Sequence, residues 1–225
     1  MSEIIKPFLT ICDKYIIPGD VKTVYDIGAG DCVETLALWN HFKNAQIFAF
    51  ECNPVCIANC AANIVNRDKI YLINACIYDR DGLIKFHPIN KELTITTHQD
   101  GNPRASSVHI ANGTYPLEIY AQDEISILCS RLDTLMETYT LPMPDVIWMD
   151  LQGSELAALK GLGLYLSAVK FIHTEVTLKA MYTGQDLYPE INKYLSENKF
   201  KLLTNFDRNG IWCDLDYARE DLSCL

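Results

Sequence analysis

An alternation of two periodicities over the first third of the chain limits its fold more than any other feature. Residues 21–27 (VKTVYDI) form a short, apolar, β-branched run suited to a strand buried on both faces, and residues 31–42 then space their apolar side chains as a helix does. The pattern repeats, with an apolar run at 45–50 (AQIFAF), helical sequence from Pro54 to about Asn66, and a third run at 69–78 (KIYLINACIY). Strand, helix, strand, helix, strand at this spacing requires right-handed crossovers, which place helices on both faces of a parallel sheet. The predicted class is α/β, with a doubly wound, mostly parallel sheet.

Ahead of this unit, Ile4, Ile5, Phe8, Leu9 and Cys12 recur at helical spacing and predict an amphipathic leading helix within residues 1–20, ending before Pro18-Gly19-Asp20. Residues 79–126 break the rhythm. Asp81-Gly82 signals a turn, 83–86 reads as a short strand, and a polar stretch rich in Asn, Thr, His and Ser follows, a candidate lid or substrate loop. The alternation resumes with a strand ending near Ser130, a helix over 132–139, a strand over 145–149, a helix over 155–162 and a strand over 169–176. A helix over 187–197 and strands at 201–205 and 210–213 close the pattern. No repeat or linker divides the 225 residues, so the expectation is one domain.

The 19 Lys and Arg residues against 29 Asp and Glu leave a net charge of −10, and no basic run occurs. A partner held by its phosphates, whether nucleic acid or anionic membrane, is not expected. The nine cysteines are odd in number and show no Cys-x-x-Cys spacing, which suggests reduced thiols in a cytoplasmic protein. Cys52, Cys56 and Cys60 are spaced more widely than a radical iron–sulfur motif and fall on predicted helix, so they read as packing residues. Glu3, Lys6 and Asp13 interrupt any signal-peptide core, and no later stretch is long and apolar enough to span a bilayer.

The end of the first strand carries the most informative motif, Asp26-Ile27-Gly28-Ala29-Gly30-Asp31. Gly28 and Gly30 let the backbone turn sharply and approach a ligand with no Cβ in the way. A dinucleotide loop would place a third glycine where Val33 stands, and Asp31 would repel a diphosphate at the helix start. A nicotinamide-dependent oxidoreductase is therefore the weaker reading. Cationic S-adenosylmethionine suits the loop, with Asp26 toward the ligand's ammonium group and Glu51, at the end of the second strand, toward the ribose hydroxyls. Cys52 and Asn53 follow Glu51; Asn53-Pro54 also has the form of a helix cap, and Asp31 with Glu34 that of a capping box. Ala75 and Cys76 end the third strand beside the expected adenine.

A second motif, Asp150-Leu151-Gln152-Gly153-Ser154-Glu155, ends the fourth core strand at the sheet edge where open α/β folds bind ligands. With Asp150, Gln152, Gly153 and Glu155, followed by Leu159-Lys160-Gly161, the chain resembles the FkbM family of S-adenosylmethionine-dependent methyltransferases. Leu132-Asp133-Thr134-Leu135, Asp81-Gly82, Ser106-Ser107 and Thr174-Glu175-Val176 extend the likeness over roughly 21–203. The resemblance implies a Rossmann-like class I methyltransferase with a seven-stranded sheet and a β-rich insertion after the third strand. It also implies O-methylation of sugars, polysaccharide components or natural products.

A hydroxyl is a poor nucleophile until its proton leaves, so a base or a divalent metal such as magnesium is expected near the methyl group. Asp150 and Glu175 are the leading candidates, as base, acceptor-orienting group or metal ligands. Glu155 is either a third carboxylate or a partner of the helix dipole. His173 shares the strand face of Glu175 and is either a candidate base or a hydrogen-bonded histidine between helix and sheet, and His98 and His109 lie in the insertion. A non-catalytic binding module is the third reading, against which the retained carboxylates count. The oligomeric state is left open by the sequence.

Overall fold

The structure, a computed structural model, describes residues 5–225. The first parallel layer is built as the periodicities demand: β1 (Thr23–Ile27), α2 (Val33–His41), β2 (Gln46–Glu51), α3 (Pro54–Asn63) and β3 (Ile70–Asn74). The leading helix, α1 (Ile5–Cys12), buries Ile5, Phe8, Leu9 and Cys12; Ile4, predicted to share that face, lies outside the described residues. Later come α4 (Leu132–Tyr139), β7 (Val146–Met149), α5 (Glu155–Gly161), β8 (Phe171–Thr177), α6 (Tyr188–Glu197), β9 (Phe200–Leu202) and β10 (Trp212–Arg219).

Seven strands form one sheet in the order β3-β2-β1-β7-β8-β10-β9, and only β10 runs antiparallel to its neighbours. The chain moves outward from β1 to β3 and then returns to the other side of β1. The strand order therefore reverses between β1 and β7, and a crevice opens outside their carboxyl ends. Side chains alternate across the sheet: Val24 joins the apolar layer under α1 with Leu38, Trp148 and Phe171, whereas Tyr25 and Ile27 join the opposite layer with Met149, Leu159 and Ile172.

Three expectations are corrected. The run at 69–78 is not one strand: the Ala75 N–H makes a last bond to the Glu51 carbonyl, and Cys76–Ile77 (β4) leaves the sheet to pair with the strand that ends at Ser130. That strand, β6 (Ile125–Ser130), also pairs with β5 (Gly82–Phe86), so both belong to a second, three-stranded sheet and not to the main alternation. The closing strand expected at 210–213 instead runs over Trp212–Arg219. Asp214 and Asp216 make this stretch look like loop, but both alternate onto the face of His173, while Cys213, Leu215 and Tyr217 pack on the other.

The segment 79–126 folds back over the crevice and is fastened there. Asn53 Nδ2 donates to the Pro103 carbonyl at 3.0 Å, Ser107 Oγ donates to the Gln152 carbonyl at 2.8 Å, and the Tyr182 hydroxyl donates to the Ala105 carbonyl at 2.8 Å. Among the described residues no helix is long and apolar enough to cross a membrane.

Candidate active site

The glycine loop leaves β1 with Gly28 at φ +85° and Gly30 at φ +58°, left-handed conformations that a side chain disfavours. A Cβ on Gly28 would collide with the Asp150 carbonyl, so β1 and β7 can approach this closely only with glycine there. The loop is tied to β2 by Gly28 and Ala29 N–H groups on the Phe50 carbonyl at 2.9 and 3.0 Å. Glu51 completes the cradle: one carboxylate oxygen accepts from Gly30 N–H at 2.8 Å, and the other from the N–H groups of Cys52 and Asn53 at 2.7 Å each. Burial raises the Glu51 pKa, and these three donors oppose the shift.

Two adjoining clefts open here, with about 590 and 560 Å³ of empty space. The first is bordered by Gly28, Gly30, Glu51, Cys52 and Asn53, by Ala75, Cys76, Ile77 and Phe86, and by the insertion at Arg104 and Ser106. The second is bordered by Asp26, Glu34, Asp150, Glu175 and Asp214, with His173 and Trp212. Gly28, Arg104 and Asp150 border both.

Asp26 is fully buried, and one carboxylate oxygen is bound by the Thr35 hydroxyl while Oδ1 has no hydrogen-bond partner among the described residues. Burial pushes its pKa up to about 7 against the opposing Thr35 bond. An unpartnered buried carboxylate oxygen is costly, and a cationic ligand would relieve it. At the far side, Gln152 Nε2 donates to Asp150 Oδ1 at 2.6 Å and lies 3.5 Å from Glu175 Oε1. Desolvation, reinforced by Asp150, Glu155 and Asp214, raises the Glu175 pKa well above the ordinary carboxylate range. Gln152 takes φ +51°, and its Oε1 lies 3.1 Å from the Tyr182 hydroxyl oxygen while its NH₂ faces the carboxylates.

A family model of the methyltransferase FkbM domain matches residues 26–202, the span that holds both motifs and the insertion. The chain belongs to the FkbM methyltransferase family. One relative of this FkbM chain, the 2-O-methyltransferase NoeI of Sinorhizobium fredii, is 31% identical over 72% of this chain and 66% of its own length. Another, the hexuronic acid methyltransferase AglP of Haloferax volcanii, is 31% identical over 44% of this chain and 38% of its own. The chain thus spans less than two thirds of either relative. Among solved structures, Aeropyrum pernix fibrillarin in complex with natively bound S-adenosyl-L-methionine superposes with a TM-score of 0.54 at 9% identity, over 95% of this chain and 74% of that one. A putative rRNA-methylase from Clostridium thermocellum gives 0.52 at 13% identity over 99% of both chains. The FkbM chain has the Rossmann-like class I methyltransferase fold.

For several residues of this FkbM chain the contacts choose among the roles that the sequence left open. Glu155 borders neither cleft: it accepts from the N–H groups of Leu151 at 2.9 Å and Gly153 at 3.1 Å at the start of α5, the second of the two roles open to it. His173 stacks on Trp148 and pairs through Nδ1 with Asp216 at 2.8 Å, with Nε2 3.7 Å from Asp214; burial lowers its pKa, but the two carboxylates outweigh that and raise it to about 9. Asp31 and Glu34 form no capping box; Asp31 accepts from Val33 N–H, but Glu34 turns away to Arg104. Asn53 does cap α3, accepting from Val55 N–H at 3.1 Å. Cys56 and Cys60 are buried on α3, Cys52 precedes the helix, and Cys52 and Cys56 border the first cleft. Among the described residues, no group of three or more His, Cys, Asp or Glu side chains is arranged to hold a metal ion.

Sequence reasoning missed Arg104, Trp212, Asp214 and the clamping role of Gln152. Arg104 and Trp212 carried no motif signal of their own; Gln152 stood inside a motif, but its bridge between two strands exists only after folding.

Proposed function

We propose that this protein transfers the methyl group of S-adenosylmethionine to a hydroxyl oxygen of a sugar or sugar-bearing natural product. The observation that carries the reading is the pair of adjoining clefts, one built on Gly28, Gly30 and Glu51, the other holding the unpartnered Asp26 oxygen beside Asp150 and Glu175. The cofactor fits the residues present. Glu51 would take the ribose hydroxyls on lone pairs not used by Gly30, Cys52 and Asn53; Ala75, Cys76, Ile77 and Phe86 would line the adenine; Asp26 would meet the ammonium group. The names of NoeI and AglP support an oxygen of a sugar as acceptor.

S-adenosylmethionine supplies, when bound, an electrophilic methyl group on a sulfonium. The chain's task is to position the acceptor hydroxyl and receive its proton, and orientation of this kind accounts for much of the acceleration in a displacement. Glu175 Oε1 is the group we assign to the proton: burial and the neighbouring carboxylates raise its pKa, which makes its carboxylate a stronger base than an exposed one. Asp150, held by Gln152, orients the hydroxyl. The imidazolium of His173 is committed to Asp214 and Asp216 and holds β8 against β10. Segment 79–126 serves as the lid that keeps water from the crevice, in a single domain, and the free thiols fit a reducing, cytoplasmic setting.

Calorimetric titration with S-adenosylmethionine under reducing conditions tests the first half: micromolar binding that weakens at least tenfold in Glu51→Ala is expected, and no binding to the wild type overturns the reading. Screening sugars and glycosides for release of S-adenosylhomocysteine, with magnesium and with chelator, tests the second half. Turnover on a hydroxyl-bearing glycoside is expected; a panel without turnover by a chain that binds the cofactor refutes the acceptor class.

A further inference from the structure

Arg104 projects from the insertion turn Pro103–Ala105 onto the glycine loop, where a Cβ added to Gly30 would lie 2.9 Å from its Nε. Its guanidinium Nη2 donates to Glu34 Oε2 at 3.2 Å, and Nη1 lies 3.7 Å from Asp31 Oδ1. The Glu34 side chain is 5% exposed and that of Arg104 40%, so the pair caps the crevice without being sealed in it. A guanidinium carries five N–H donors, and the hydrogen bond to Glu34 is the one that Arg104 makes among the described residues.

The charge of the second cleft makes this position unusual. Asp26, Glu34, Asp150, Glu175 and Asp214 border it, against two cations, Arg104 and His173. Both ring nitrogens of His173 already face aspartates. Among the described residues, Arg104 is therefore the one cation along that cleft with donors to spare, and it borders the same cleft as Asp26, whose Oδ1 is unpartnered. An α-amino acid end carries one ammonium and one carboxylate and needs one partner of each sign. Asp26 answers the ammonium; a carboxylate entering this acidic cleft would be repelled everywhere except at Arg104.

We propose that Arg104 binds the α-carboxylate of the cofactor's amino-acid end, exchanging its contact with Glu34 for the ligand and so fastening the insertion over the bound cofactor. The inference rests on the S-adenosylmethionine reading above. It makes Arg104 a cofactor-selecting residue supplied by the lid and not by the sheet.

Titration calorimetry on the full chain with S-adenosylhomocysteine, its decarboxylated analogue and 5′-methylthioadenosine tests it. In Arg104→Met the affinity for S-adenosylhomocysteine should fall by about ten- to a hundredfold, as for loss of one charge-assisted contact. The two ligands without a carboxylate should stay within about twofold, so the ratio of S-adenosylhomocysteine to decarboxylated affinity drops at least tenfold. Arg104→Lys should retain part of the ratio, and Glu34→Gln, which removes the competing carboxylate, should tighten S-adenosylhomocysteine a few-fold. A ratio unchanged in Arg104→Met, with all ligands weakened alike or none weakened, overturns the proposal and leaves the cofactor reading intact. A wild type that binds none of the three ligands overturns both.

Discussion

Replacing Asp26 by Asn should make the ligand-free protein more stable at the same time as it weakens cofactor binding. Asp26 is fully buried, and burial lifts its carboxyl from 3.8 to about 7. A carboxyl whose pKa is higher in the folded state contributes stability that is complete below its unfolded value and is lost as pH rises through the folded value. Keeping Asp26 ionised at pH 8 thus costs about 4 kcal/mol, from a shift of about 3 units. Asn never ionises and still accepts from Thr35, but its NH₂ brings donors to the place where Oδ1 has no partner, which returns about 1–3 kcal/mol. The net gain is about 2 kcal/mol at pH 8, or about 4–8 °C in Tm for a chain of this size. Toward pH 5, where the wild-type carboxyl is protonated, the gain should vanish. Urea denaturation of both proteins at pH 5 and 8 measures it, and thermal shifts with S-adenosylhomocysteine should be smaller for Asp26→Asn. A variant less stable at both pH values, by the same amount, would refute the reasoning that an ionised, under-partnered Asp26 is held in readiness for a cation.

Three further outcomes are expected. Gly30→Ala should lose about 1–2 kcal/mol of stability in urea unfolding, because φ is +58° and the new methyl meets Arg104. His173, raised to about 9, contributes stability that is complete below about 6.5 and lost as pH rises through 9, worth up to about 3 kcal/mol; the stability difference between wild type and His173→Gln should therefore narrow from pH 7 to pH 10, and a constant difference would count against the imidazolium. Glu175→Gln should lower turnover of an acceptor found by screening at least a hundredfold while S-adenosylhomocysteine affinity, read by calorimetry, stays within about twofold.

The parts of the site that were legible in the sequence are those in which one short segment carries its own geometry. Gly28 and Gly30 announce a turn wherever the chain places them, Glu51 ends an apolar run that can only be a strand, and Asn53-Pro54 caps a helix by local hydrogen bonds. Glu155 was legible as one of two things, a carboxylate of the crevice or a partner of the helix start, which look alike until its bonds to Leu151 and Gly153 are seen. For His173 the sequence left a base and a hydrogen-bonded ring both open, because its neighbours Asp214 and Asp216 lie some forty residues away on a strand that their own charges disguised as loop.

Periodicity is a local property, and from it alone follow the α/β class, the order of the first strands and helices, and a crevice at the carboxyl ends of β1 and β7. Charge placement is not local. Where the insertion lands, that Arg104 lies across Gly30, that Gln152 bridges Asp150 to Glu175, and that β4 and β6 leave the main sheet all depend on contacts between residues tens of positions apart. No spacing rule encodes such contacts, because each is fixed by the packing of two faces that meet only in the folded chain.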